Sequence, residues 1–198
     1  MFIGRSAGAS TVYQQNTYQM RLNYPKSAQC TYLGHYAGMS TAWPGSGSEP
    51  WGQTAVGAKA LRSNTTGSYN TAIGSESLEQ NTTGSSNIAI GLTSGYRITT
   101  GGHNIGIGNN TFYSWPNYCT GDYNVALGND SARSMTTGSE NITVGSWAGR
   151  LITTGSNNVL IGMQTGYSSS PGGQITTQSN HLVLGNNSTS DFYCADTS

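Results

Sequence analysis

The sequence predicts an all-β repeat fold, a β-solenoid (β-helix) with turns of about 17 residues, and three observations carry that reading. A five-residue pattern of Asn or another polar residue, apolar, small, apolar and Gly recurs along the chain. A Thr-Thr-Gly triplet ends seven residues before the last Gly of most copies. The 198 residues include 28 Gly, only 34% apolar and 8% charged residues, and Leu, Ile, Val and Phe together fall below the ~20% of an ordinary core. So small an apolar minority builds a core only if it is placed very regularly.

The pattern starts in degenerate copies, Cys30 to Gly34 and Gln53 to Gly57, and becomes regular at Asn70-Thr71-Ala72-Ile73-Gly74. It continues as Asn87-Ile88-Ala89-Ile90-Gly91, Asn104-Ile105-Gly106-Ile107-Gly108 and Asn124-Val125-Ala126-Leu127-Gly128. Asn141-Ile142-Thr143-Val144-Gly145 and Asn158-Val159-Leu160-Ile161-Gly162 follow, and His181 to Gly185 closes the series. The triplets are Thr65-Thr66-Gly67, Thr82-Thr83-Gly84, Thr99-Thr100-Gly101, Thr136-Thr137-Gly138 and Thr153-Thr154-Gly155, with Cys119-Thr120-Gly121 as a variant. We read one solenoid domain over 1–198, degenerate and long-looped over 1–52, regular over 53–187, with a tail over 188–198.

Apolar residues alternate within each copy, as Ile88 and Ile90 do around Ala89, which is strand and not helix periodicity. Strands this short are unstable alone and must stack on their neighbours. Turns laid about 4.8 Å apart place Ile73, Ile90, Ile107, Leu127, Val144 and Ile161 in one aliphatic ladder, expected to fill the core. Asn and Thr side chains stack likewise and are expected to bond along the rod. Gly serves the corners. The middle strand residue (Ala55, Ala72, Ala89, Gly106, Ala126) is expected to face outward, where small apolar residues suit close packing against another chain.

Composition also excludes. Gly does not recur every third position, so this is not collagen. No apolar run approaches 18 residues, so no helical membrane span is expected. A net charge of zero without a basic cluster argues against nucleic acid. Cys30, Cys119 and Cys194 have no zinc or disulfide spacing and are expected to be reduced and partly buried, while His35, His103 and His181 are isolated, so neither a metal nor a cofactor is expected.

The strands Asn87 to Gly91 and Asn124 to Gly128, with following small pairs such as Ala148-Gly149 and Thr165-Gly166, resemble the head repeats of trimeric autotransporter adhesins. They resemble equally the β-helical shafts of bacteriophage tail fibres. The resemblance covers roughly residues 50 to 187, and it implies a parallel homotrimer. Two features favour the fibre. Phe2-Ile3-Gly4 followed by Ser6-Ala7-Gly8 matches the second half of a unit, as expected of a piece of a longer fibre. Leu182 to Gly185 followed by Asp191-Phe192-Tyr193-Cys194 resembles the stretch ahead of an endosialidase-type intramolecular chaperone, which implies cleavage after Ser198; a chosen end point is the alternative.

Function is sought where the chain departs from the repeat. Extra residues carry Tyr13, Tyr18, Tyr24 and Tyr32, then Trp43 and Trp51, then Tyr113, Trp115 and Tyr118, and last Tyr167. Aromatic rings stack on sugars and pack at partner surfaces, so Trp43, Trp51, Tyr113, Trp115 and Tyr118 are the candidate ligand-binding residues. Anchoring of a loop to its own scaffold is the competing role. The expected function is attachment of a virion, through its tail fibre and with other tail proteins as partners, to a glycan or protein of a bacterial surface. The head of a bacterial cell-surface trimeric adhesin is the alternative. Capsule degradation by the adjacent-turn acids Asp122 and Glu140, and ice binding by the row of Thr66, Thr83, Thr100, Thr120, Thr137 and Thr154, are weaker readings; no enzyme activity is expected.

Overall fold

A computed structural model of the chain describes residues 19–22, 30–39, 50–168, 170, 173–186, 188 and 189. Strands β2 (Thr31–Gly34), β3 (Thr54–Val56), β4 (Thr71–Ile73), β5 (Ile88–Ile90) and β6 (Ile105–Ile107) lie side by side in chain order. The sheet continues through β7 (Val125–Leu127), β8 (Ile142–Val144), β9 (Val159–Ile161) and β10 (Leu182–Leu184). All neighbours from β2 to β10 are parallel and in repeat register, so that Ala72 opposes Ala89 and Ala89 opposes Gly106. Among the described strands only β1 (Gln19–Leu22) runs antiparallel, on β2. The architecture is the expected all-β solenoid of stacked parallel turns.

The facing of the strands is the reverse of the sequence expectation. Ala55, Ala72, Ala89, Ala126 and Leu160 are buried, whereas Ile73, Ile107 and Ile161 are about 40% exposed. The physical reason is the depth of the core. After each strand the chain returns across a space one side chain deep, and a Cβ placed on Gly95 would lie 3.4 Å from that of Ala89. Only small strand residues fit inward unless the returning segment gives way. The larger core side chains come instead from that segment: Leu61, Leu78, Ile98, Phe112, Met135, Ile152 and Ile175 are buried.

Those side chains are traded within a turn. Where Leu78 fills the core, Asn81 stands three residues on; where that place is Gly95, Ile98 replaces the Asn. The pairs Ala132 with Met135 and Gly149 with Ile152 repeat the exchange. A side chain on Gly95 would meet Leu78 at 2.8 Å and Ile98 at 3.3 Å, so the volume at one position excludes it at the other. Near the amino end the large Tyr32 ring takes the inward strand place, and Gly38 is required beneath it, since a Cβ there would lie 2.3 Å from the ring.

A buried amide ladder runs beside the apolar core. Asn70, Asn87, Asn104, Asn124, Asn141 and Asn158 are all fully buried. Each Oδ1 accepts the backbone N–H of the equivalent residue in the next turn, from 2.9 Å at Asn87 to 3.1 Å at Asn158. Each Nδ2 donates to a corner carbonyl at 2.8 to 2.9 Å. An uncharged residue with one donor and one acceptor arm therefore satisfies its own turn and the next without burying charge. The Thr ladder works similarly, with the Thr65, Thr82, Thr136 and Thr153 hydroxyls donating to carbonyls of the following turn.

Two kinds of corner demand Gly. At Gly91 φ is +132° and an added Cβ would lie 2.5 Å from the carbonyl oxygen of Gly108. At Gly121 no unusual φ is involved, but a Cβ would lie 1.9 Å from the Gly138 oxygen. Turn-to-turn approach, more than backbone freedom, fixes Gly at the second corner.

Candidate functional site

Trp115 and Tyr118 converge on one cation. The Arg97 guanidinium lies 4.2 Å from the centre of the Trp115 ring and 4.9 Å from that of Tyr118, and its Nη1 donates to the Pro116 carbonyl at 3.1 Å. Arg97 is itself nearly buried, while Trp115 is 63% and Tyr118 55% exposed. A buried cation thus holds two exposed rings in place, an arrangement stronger than the same pair in open water. The segment then rejoins the solenoid where Cys119 bridges Ile98.

Tyr113 belongs to the scaffold side of this cluster. Its ring stacks on Tyr96 at 5.5 Å between centres, and Arg133 lies over its ring at 5.4 Å. Tyr96 and Tyr113 occupy the same place in consecutive turns, as do Arg62 and Glu79, which pair at 3.1 Å. Trp51 stands apart, half exposed ahead of β3, with its carbonyl accepting the Tyr69 N–H at 2.5 Å. Trp43 lies outside the described residues, as do Tyr13, Tyr18, Tyr24 and the terminal features at Phe2 and Ser198.

Beside the cluster is a groove of about 580 Å³, lined by Met39, Arg62, Ser63, Glu79, Gln80, Thr82, Thr99 and Tyr118. Among the described residues, Tyr118 is the one candidate from the sequence that reaches it. Glu79 is buried; its Oε1 receives Arg62, and its Oε2 has no hydrogen-bond partner among the described residues. Arg62, Glu79, Gln80 and Arg97 were not foreseen from the sequence. Their signal was there, since Arg62 and Glu79 are one 17-residue period apart in a chain almost free of charge.

The other charged groups have local tasks. Lys59 binds Glu76 at 2.7 Å, and this hydrogen bond raises its pKa. Asp122 accepts the Gly102 N–H at 2.6 Å, whereas Glu140 is exposed, and neither lines the groove. No cluster of three metal-ligating side chains occurs among the described residues. The Cys30 thiol donates to the Pro50 carbonyl at 3.6 Å, and burial pushes the pKa of the Cys119 thiol up to about 12. No helix among the described residues is long and apolar enough to cross a membrane.

The strand face forms the second surface of interest. Ile88, Ile107, Ile142, Ile161, Leu182 and Leu184 are all more than a third exposed, and with Ile90, Ile105, Val125, Leu127, Val144 and Val159 they make two continuous aliphatic rows from β5 to β10. Comparison of the chain with protein-family models, curated proteins and solved structures finds no match.

Proposed function

We propose that the chain is a segment of a homotrimeric bacteriophage tail fibre that attaches the virion to a glycan or protein of a bacterial surface and catalyses no reaction. The observation that carries this reading is the aliphatic strand face. Six parallel strands, β5 to β10, at about 4.8 Å spacing and each about 10 Å wide, present on the order of 300 Å² of flat aliphatic surface in projection, and one row runs on through Ile73, Val56 and Leu33. That reaches the size of the largest apolar patch on a typical monomer, and such patches mark interaction sites. Identical rods match this surface best, because a second copy repeats the same rung spacing and carries no charge to desolvate.

The interface is thereby assigned to the Ile and Val rows, and not to the small strand residues, which are inside. The exposed Trp115 and Tyr118 supply the recognition surface, and three copies per fibre raise avidity without new contacts. The strand motifs also support the head of a bacterial trimeric adhesin as a second reading. Sedimentation equilibrium should give three chains per particle. Ile107→Asp should give folded monomers, and a wild-type monomer would overturn the reading. Adhesion of labelled protein to a panel of bacteria, against none to collagen or fibronectin, separates fibre from adhesin.

A further inference from the structure

We propose that the groove ending at Tyr118 binds a linear, neutral oligosaccharide laid along the solenoid axis; this rests on the attachment reading and names the ligand class and its place. Shape is the first argument. The lining residues come from consecutive turns: Met39 after β2, Arg62 after β3, Glu79 and Gln80 after β4, Thr99 after β5 and Tyr118 after β6. Five turns in register span about 19 Å, so the groove is long along the rod and suits a chain molecule. Its volume, about 580 Å³, lies in the range of small-ligand sites.

Chemistry is the second argument. Arg62 and Glu79 neutralise one another, and the rest of the lining is hydroxyl, amide, thioether and one aromatic ring. Arg97 at the far end is nearly buried against the Trp115 and Tyr118 rings, so a polyanion gains little attraction there. Glu79 is more than nine-tenths buried, and its Oε2 lacks a partner. A buried carboxylate oxygen left unsatisfied is costly, and a turn of the Glu79 carboxylate that brings Oε2 to the groove lets a sugar hydroxyl donate to it and recover that cost. At the far end Arg97 lies over the half-exposed Tyr118 ring at 4.9 Å and fixes it as a platform for the C–H face of a pyranose.

The test uses the full chain and fluorescent maltohexaose, cellohexaose and mannohexaose, with hexameric sialic acid as the anionic comparison, read by anisotropy. At least one neutral hexaose should bind. Tyr118→Ala and Gln80→Ala should each weaken it about tenfold, while Tyr123→Ala, at an exposed ring away from the groove, leaves it unchanged. Glu79→Gln should also weaken binding, and the two surface substitutions keep the test decisive if that variant folds poorly. The proposal is overturned if no neutral hexaose binds, if sialic acid hexamer binds better, or if neither Tyr118→Ala nor Gln80→Ala matters. Adhesion to bacteria is measured in parallel. Wild-type adhesion that Tyr118→Ala leaves intact sinks the groove alone; no wild-type adhesion to any bacterium sinks the attachment reading.

Discussion

The strand face and the returning segment share one register yet carry opposite kinds of residue. On the strand face almost every turn repeats the same thing, as Ile73, Ile90, Ile107, Leu127, Val144 and Ile161 do. On the returning segment one register place holds in turn Arg62, Glu79, Tyr96 and Tyr113, which interact as an ion pair and a ring stack. Uniform side chains at uniform spacing suit contact with another copy of the same rod. Varied side chains on the same spacing make local clusters, and it is there that the groove and the Trp115–Arg97–Tyr118 sandwich lie. On the proposed reading, one backbone separates self-association from recognition by which side of a thin core a residue occupies.

The comparison breaks first at the corners both sides share. Gly91→Ala should destabilise by more than about 4 kcal/mol, since strain and a carbonyl clash add; chemical denaturation checks it. Next comes the amide ladder, where Asn124→Ala leaves the buried Gly138 carbonyl without its donor and the Asn141 N–H without its acceptor and should cost about 3 kcal/mol. A pair of substitutions then separates the two strand faces. Ala89→Leu should cost about 1–3 kcal/mol by overpacking, while Ile90→Ser should leave the fold's circular dichroism unchanged and weaken association.

Cys119 sharpens the returning side. Its folded pKa is about 12 against an ordinary 9.0, because burial penalises the thiolate. Between those values the unfolded chain has lost the proton that the folded chain keeps. Stability from this group is therefore full below pH 9 and lost as pH rises towards 12. Cys119→Ala should flatten that part of the alkaline stability curve relative to wild type. The smallest stability effect is expected at Trp115→Ala, about 1 kcal/mol, since Arg97 keeps the Tyr118 ring and the Pro116 carbonyl, together with weakened adhesion to bacteria in the same preparation.

Much of this was legible in the chain. The Asn before each strand, the Gly after it and the Thr ladder announced their roles by recurrence, because each must match its equivalent one turn away. Leu78 and Ile98 were harder to read, because they share a function but not a register position. Glu79 and Arg62 lie a period apart and were readable as a pair, yet nothing local marked the groove that they line with Tyr118. That groove is assembled from five turns, and no single repeat contains it.

The sequence by itself determined a parallel solenoid with turns of about 17 residues, since only stacking in register lets so few apolar residues, and so many Asn and Gly, satisfy one another. Tertiary structure alone decided which strand face is inside. Period-two alternation offers two faces with equal claim, and the choice falls to the returning segment, whose Leu, Ile and Phe side chains leave room beneath the strand for Ala and turn the larger Ile and Val residues outward.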